Sequence, residues 1–239
     1  MTTWREAFGT PFTALIVQLA AYGSADTLPA VRSFDPLPKL RESQYSVLTL
    51  PRTAVATAIN IGNSYNASSP CRTYAGGIHP RNKTEVGRRL ALKLAEVEGV
   101  LPVGVVSTGP EPNAFSAAGA AVKITIDAAS APGGALALVP TEDCLSFLRA
   151  DATLDECCQV DAPSNANANA SFPFELLLAD RTTYVLATAT LGPATITVAP
   201  QDASQPGPFT GVRYASQGFP LCAVLNGQGL PMAPFAHAM

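Results

Sequence analysis

One histidine at the entrance to a helix is the residue of this chain best placed to do chemistry. His79 stands in the stretch Gly76-Gly77-Ile78-His79-Pro80-Arg81-Asn82-Lys83, between a loop of small and polar residues and the helical run Thr84–Glu98. An imidazole can take up and return a proton near neutral pH, so His79 is a candidate general base. The alternative is a surface or helix-capping histidine. The other histidine, His237, lies in the C-terminal tail and is predicted to have no catalytic role.

The helix that follows His79 is the clearest element of the sequence. Asn82 can cap its first turn, and Glu85 stands three residues further on, as in a capping box. Apolar residues then recur at the spacing of one helix face, at Val86, Leu90, Leu94 and Val97. Gly99 follows as a stop signal. The other charges of this stretch, such as Arg88-Arg89, are predicted to lie on a solvated face.

Up to about residue 100 the pattern alternates between strands and helices. Phe12–Ala20 and Ala54–Ile61 are continuous apolar runs, as expected of strands that are buried on both faces of a parallel sheet. Leu37–Leu48 between them is predicted to be a helix. Phe12–Tyr22 also resembles the apolar core of a short signal peptide, so a leader is a second interpretation of that segment. No segment reaches the roughly 20 apolar residues of a membrane-spanning helix.

After residue 100 the pattern changes to short strands. Alternating runs rich in β-branched residues, each bounded by turn residues, occur at Ala121–Ile126, Ala135–Val139, Phe174–Leu178, Tyr184–Thr190 and Thr195–Val198. This pattern predicts an antiparallel β-sandwich. Ser164–Ala170, which reads SNANANA, is too small and polar to pack and is predicted to be a surface loop. We therefore expect two domains, residues 1–100 and residues 101–239.

Composition narrows the classes of function. The chain is 47% hydrophobic with a net charge of −3, which permits a large core and leaves no basic surface for nucleic acid. The cysteine and histidine spacings predict no metal site, and no cofactor is predicted. Cys144 can form a local disulfide with Cys157 or Cys158, or the thiols can be free. Three glycosylation sequons begin at Asn66, Asn82 and Asn169.

Several blocks of residues follow one recognisable order. From the amino terminus onward they read Trp4-Arg5-x-x-Phe8-Gly9, Pro11-Phe12, Val17-Gln18-Leu19-Ala20, Leu40-Arg41-Glu42-x-Gln44, Ile59–Gly62, Gly77-Ile78-His79-Pro80-Arg81-Asn82-Lys83-x-x-Val86-Gly87-x-Arg89-Leu90-Ala91-Leu92, Val212-Arg213-Tyr214-Ala215 and Leu225-Asn226-x-x-Gly229-Leu230-Pro231-x-x-Pro234-Phe235. On these blocks the chain resembles the sialate O-acetylesterases, members of the SGNH hydrolase superfamily. The histidine block and the G-L-P-x-x-P-F ending are specific when they occur together.

The resemblance implies an enzyme that removes O-acetyl groups from sialic acids or other sugars. It implies a partial SGNH-type three-layer α/β/α domain at residues 1–100, followed by the β-sandwich. In the family a serine attacks the acetyl carbonyl, a histidine takes its proton, and an acidic residue orients the histidine. His79 is the catalytic residue that maps onto this chain. The family's serine, glycine and asparagine blocks precede the segment with which the chain begins, so it is expected to be truncated and to need a complementary N-terminal half.

The acid partner of the histidine departs from the family pattern. Relatives often carry aspartates where this chain has Asn60, Asn63 and Gly76-Gly77. Asparagine can hydrogen-bond an imidazole, but it cannot stabilise the imidazolium by charge, and the equivalent change in a serine protease lowers turnover by about 10⁴. The rival hypothesis is therefore a catalytically dead glycan-binding or structural module derived from the family. The resemblance also implies a secreted or lysosomal/vacuolar location, although the chain shows no convincing signal peptide.

Overall fold

A small parallel sheet between helices forms the first part of the fold. The computed structural model describes residues 2–22, 36–62, 78–142, 144, 158, 173–205 and 207–239. In its first hundred residues these elements follow in order: α1 (Thr2–Phe8), β1 (Ala14–Gln18), α2 (Leu37–Tyr45), a short 3-10 helix (Ser46–Thr49), β2 (Thr53–Thr57) and α3 (Lys83–Val97). β1 and β2 pair in parallel, from Ala14 opposite Thr53 to Gln18 opposite Thr57. None of the described helices is both long and apolar enough to cross a bilayer.

The two long helices cover opposite faces of this sheet. Side chains alternate between the two faces of a strand, so the contacts of two neighbouring residues of β1 show which helix covers each face. Val17 packs with Val86 of α3 against a small buried cluster. Gln18, the next residue, donates from Nε2 to the Arg41 carbonyl of α2 at 3.2 Å. The layers are therefore α2, sheet and α3, which confirms the predicted three-layer arrangement.

The parallel strands are shorter than the apolar runs that predicted them. Phe12–Ala20 contributes Ala14–Gln18, which confirms the strand interpretation of that run, and Ala54–Ile61 contributes Thr53–Thr57. The second run is cut short because its end joins a different core. Ile59 is fully buried among the side chains of the β-sandwich, and the Asn60 carbonyl accepts a hydrogen bond from the Glu142 amide at 2.9 Å.

The second part of the fold is built from two antiparallel sheets. Its strands are β3 (Pro112–Ala117), β4 (Val122–Ile126), β5 (Leu136–Pro140), β6 (Phe174–Leu177), β7 (Tyr184–Gly192), β8 (Thr195–Pro200), β9 (Gly211–Tyr214), β10 (Cys222–Asn226) and β11 (Phe235–Ala238). Seven of them form one sheet in the order β11-β9-β6-β7-β8-β4-β3, and β5 pairs with β10. The described strands include all five that the sequence predicts.

The two sheets share one hydrophobic core, which makes this part a β-sandwich. Ile124 of β4, Phe174 of β6 and Val224 of β10 are fully buried in the same cluster. The Tyr214 hydroxyl of β9 accepts a hydrogen bond from the Val224 amide at 2.9 Å, so the large sheet is tied to the small one. Burial of that hydroxyl raises the pKa of Tyr214.

One of the two disulfides that the sequence offered for Cys144 is excluded by the structure. Cys158 forms a disulfide with Cys222, the first residue of β10, across 64 positions of sequence. The bridge is therefore long-range, and the proposed Cys144–Cys158 pair is wrong. Cys144 is itself disulfide-bonded. The predicted surface loop at Ser164–Ala170 lies outside the described residues.

A buried arginine of α2 fastens the parallel sheet to the β-sandwich. The Arg41 side chain is fully buried. Its guanidinium donates to the carbonyls of Leu19 (3.0 Å) and Ala20 (2.6 Å), just after β1. The same group donates to the carbonyls of Gln217 (2.7 Å) and Gly218 (2.8 Å), between β9 and β10. One side chain thus binds four main-chain oxygens from the two parts of the fold.

Candidate active site

His79 lies at a bend just before α3. The ring is exposed, whereas the neighbouring Pro80 is buried. This is the loop-to-helix junction that the sequence predicts. The segment immediately before it, residues 63–77, lies outside the described part of the chain, so the Asn63 and Gly76-Gly77 positions are not described either.

The first turn of α3 is capped by a side chain, as predicted. Asn82 accepts a hydrogen bond at Oδ1 from the Glu85 amide at 3.1 Å. The reciprocal half of the capping box is not formed, because the Glu85 carboxylate binds Arg88 and Arg89 instead, each at 2.7 Å. The hydrogen bonds from Arg88, followed by those from Arg89, lower the pKa of Glu85. Two charged donors on the same helix compete better for the carboxylate than one main-chain amide does.

The Asn82 cap makes a testable contribution to the stability of the fold. Replacing Asn82 with alanine is expected to lower the free energy of unfolding by about 1 kcal/mol, the ordinary value of a helix cap. Urea unfolding followed by circular dichroism measures the loss. Lys83→Ala is the matched control, because Lys83 is exposed and adjacent, and it is expected to change stability by less than about 0.5 kcal/mol. Equal losses for the two variants would contradict the cap.

Asn82 is also a predicted glycosylation site. Its Nδ2, the atom to which a glycan would be attached, donates to Glu142 Oε1 at 3.3 Å. A glycan there would therefore compete with a contact between the helix and the β-sandwich. The sequons at Asn66 and Asn169 lie outside the described residues.

The buried face of α3 differs from the predicted one at two positions. Leu94 is 40% exposed, although it was assigned to the apolar face. At 3.6 residues per turn it lies about 80° around the helix from Val86, at the margin of that face. Arg89, by contrast, was predicted to be solvated and is only 4% exposed. Glu85 four residues earlier was the available signal, since an i, i+4 pair can neutralise an inward-facing arginine.

Arg89 joins α3 to the carboxyl end of β2. Its Nη1 donates to the Thr57 carbonyl at 2.8 Å and to Asn60 Oδ1 at 2.9 Å. Its Nε donates to Glu85 Oε1 at 2.7 Å. Burial lowers the pKa of Arg89, and the Glu85 carboxylate opposes that effect. The side-chain oxygen of Asn60 is therefore bound to an arginine.

The carboxyl ends of β1 and β2 lie side by side next to the contacts of Arg89. The Ala58 amide donates to the Gln18 carbonyl at 3.2 Å, which continues the ladder one residue beyond β2. Gln18 is fully buried, and its Oε1 has no hydrogen-bond partner among the described residues. Ligands of open parallel sheets bind outside the carboxyl ends of the strands. Gln18 ends β1, and Arg89 belongs to α3, the helix that begins just after His79. Both β1 and α3 contact the carboxyl end of β2.

This arrangement can supply a base but contains no assigned nucleophile. His79 is exposed and so can meet a substrate or a partner, and the buried Pro80 and the capped helix hold the chain on the carboxyl side of His79. Within the described ranges no group of three or more histidine, cysteine, aspartate or glutamate side chains is arranged to hold a metal ion. The catalytic role of His79 stays a prediction.

Comparisons with known proteins define the fold. No protein-family model matches the chain. None of the curated proteins matches it either. Among solved structures, a carbohydrate acetylesterase from Xanthomonas citri aligns with 99% of this chain at a TM-score of 0.65 and 24% sequence identity. The chain spans 43% of the length of that protein. The likeness shows that the chain has a partial α/β esterase fold followed by a β-sandwich.

Proposed function

We propose that this chain is the histidine-bearing part of a carbohydrate acetylesterase. The observation that supports the proposal most is the alignment of nearly the whole chain with part of such an enzyme. The exposed position of His79 at the entrance to α3 is compatible with the role of a base. The sequence blocks that resemble sialate O-acetylesterases favour O-acetylated sialic acid or another acetylated sugar as the substrate.

The proposed reaction is acyl transfer through a serine nucleophile. His79 takes the proton of the serine hydroxyl as its oxygen attacks the acetyl carbonyl, and then gives that proton to the departing sugar oxygen. Water attacks the resulting acetyl-serine with His79 again acting as base, which releases acetate. In this proposal the serine and the donors that hold the oxyanion come from a complementary half, since no residue of this chain is assigned to those roles.

No acidic residue is assigned as the partner that orients His79. A catalytic histidine normally donates to an acid that holds the ring and stabilises its charge. Asn60 is neutral, and its side-chain oxygen accepts from Arg89 instead. This observation favours the second candidate function, a catalytically dead glycan-binding or structural module that keeps the scaffold.

A secreted or lysosomal/vacuolar location is part of the proposal. The disulfide between Cys158 and Cys222 supports it, because structural disulfides persist in oxidising compartments and are rare in the cytosol. The glycosylation sequons agree with such a location.

The isolated 239-residue chain is expected to hydrolyse neither acetylated sialic acid nor nitrophenyl acetate above the level of a His79→Ala variant. Loss of one oxyanion donor alone lowers the rate by about 10²–10³, and no residue of these 239 is assigned as the nucleophile. Acetate release and nitrophenol absorbance measure the two reactions. Turnover that is blocked by a fluorophosphonate and abolished by His79→Ala would reveal a nucleophile within this chain.

A further inference from the structure

The outer edge of β1 can be identified from the hydrogen bonds on its inner edge. In a parallel pair, alternate residues direct both their amide and their carbonyl towards the same neighbour. The Ala14 amide donates to the Arg52 carbonyl (2.9 Å) and the Gln18 carbonyl accepts from the Ala58 amide (3.2 Å), so the even-numbered residues face β2. The main-chain groups of Leu15 and Val17 therefore face the opposite edge.

Side chains of α2 close the carboxyl end of this outer edge. Gln44 donates from Nε2 to the Val17 carbonyl at 3.0 Å and accepts at Oε1 from the Leu19 amide at 2.9 Å. Arg41 then donates to the Leu19 carbonyl at 3.0 Å. Gln44 thus replaces a neighbouring strand by bonding one carbonyl and the next outward-facing amide.

The rest of the outer edge is open. In the part of the chain that the structure describes, the amide and carbonyl of Leu15 and the amide of Val17 have no hydrogen-bond partner. The open stretch contains neither a charge nor a proline, the residues that usually protect exposed edges from pairing. It is therefore a ready template for another strand.

The two parallel strands are buried to different extents, and the difference agrees with an open edge beside β1. Residues 54–57 of β2 are all buried, whereas Leu15, Ile16 and Val17 in the middle of β1 are only half-buried. Strands of parallel sheets are normally covered on both faces and flanked by neighbours. The half-buried apolar side chains of β1 thus point to an additional element beside β1 and not beside β2.

We propose that this open edge receives a parallel strand from a complementary α/β unit, which pairs with Leu15 and with the amide of Val17. The acetylesterase from Xanthomonas citri indicates the occupant, since 99% of this chain aligns with only 43% of it and the remainder has no counterpart here. Gln44 and Arg41 end the pairing, and so fix how far the added strand extends. This inference rests on the proposed function for the nature of the partner.

The direction of the added strand also determines where the residues that follow it would lie. A strand parallel to β1 ends at the same side of the sheet as Gln18 and Thr57, the end from which the chain leads towards His79. A nucleophile that follows this strand, or its next neighbour, would therefore lie at the carboxyl end of the sheet.

Photo-crosslinking of the full chain tests the proposal. Benzoylphenylalanine is placed at Leu15, the chain is exposed to an extract of the cells that make it, and crosslinked peptides are sequenced. The matched control carries the probe at Leu48, which is 48% exposed and lies in the 3-10 helix. We expect the Leu15 probe to label one strand segment of a polypeptide with an α/β sequence pattern, and the Leu48 probe not to label it.

Hydrogen exchange completes the test. It is measured on the purified chain and on the complex of this chain with the crosslinked partner. In the isolated chain the Leu15 and Val17 amides should exchange faster than those of Ile16 and Gln18. In the complex they should slow by about tenfold or more, as one added hydrogen bond implies. The proposal is overturned by crosslinks to a second copy of this chain, to a loop or helix, or to nothing, and by protection of both amides in the isolated monomer. A complex with the expected strand but without esterase activity would refute the proposed function and leave the pairing intact.

Discussion

Replacement of Arg41 by methionine is expected to lower the free energy of unfolding by about 4 kcal/mol or more. The change removes one fully buried guanidinium that binds the carbonyls of Leu19, Ala20, Gln217 and Gly218. Hydrogen bonds to charged groups contribute about 1.5–3 kcal/mol each, and buried acceptors left without partners add a further penalty. Methionine fills a similar volume, so the loss measures the hydrogen bonds more than a cavity.

Urea unfolding at low protein concentration, followed by circular dichroism, measures the effect of Arg41→Met. The control is Arg88→Met on α3, which removes an arginine whose side chain is 42% exposed and paired with Glu85. Exposed ion pairs contribute little, so the control is expected to lose less than about 1 kcal/mol. Similar losses for the two variants would show that Arg41 does not join the two parts of the fold.

Removal of the disulfide between Cys158 and Cys222 is expected to cost about 4 kcal/mol. The bridge closes a loop across 64 positions of sequence, and cross-links over loops of this length restrict the unfolded chain by about that amount. The double variant Cys158→Ala/Cys222→Ala tests it without a reducing agent, which would also open the disulfide of Cys144.

The disulfide variant is compared with the unchanged protein by urea unfolding under non-oxidising, non-reducing conditions. Part of the loss comes from the smaller side chain at Cys222, which is fully buried at the start of β10. The single variant Cys158→Ala, purified with the Cys222 thiol free, isolates the bridge from that packing effect. A loss below about 1 kcal/mol in both variants would contradict a stabilising role for this disulfide.

Elements with strong local signals could be predicted from the sequence. The helix at Lys83–Val97 was predicted within one residue, because Asn82 caps it and apolar residues recur along one face. Alternation of β-branched residues located strands such as Val122–Ile126, whose side chains are alternately buried and exposed. The fold class follows from these patterns, and the structure confirms it.

Elements without such signals were missed. Cys222–Asn226 is buried at every position, so it shows no alternation. Pro112–Ala117 begins with a proline and is mostly exposed. Gly211–Tyr214 and Phe235–Ala238 are four residues long, and the amino-terminal helix Thr2–Phe8 is also short. The conformation of Cys222–Asn226, Gly211–Tyr214 and Phe235–Ala238 depends on partner strands that lie far away in sequence.

Two buried arginines that connect the parallel sheet to its surroundings were also missed. Arg41 was visible only as part of a resembling block, because its partners Gln217 and Gly218 lie 176 and 177 residues away. Arg89 looked like a surface charge, since Thr57 and Asn60 become its partners only when α3 packs against β2. The position of His79 just before α3 could be predicted, because it depends on the local signals that begin the helix, and its catalytic role stays a prediction.

Acetate release by the assembled protein tests the central claim most directly. The chain, with an affinity tag, is purified together with its bound partner from the cells that make it, and is assayed on an O-acetylated sugar. We predict release of acetate that falls by about 10²–10⁴ when His79 is replaced by alanine, the usual contribution of a general base, while the complex stays assembled. Absence of acetate release from the intact complex, or equal release with and without His79, would contradict the account and favour a non-catalytic glycan-binding module.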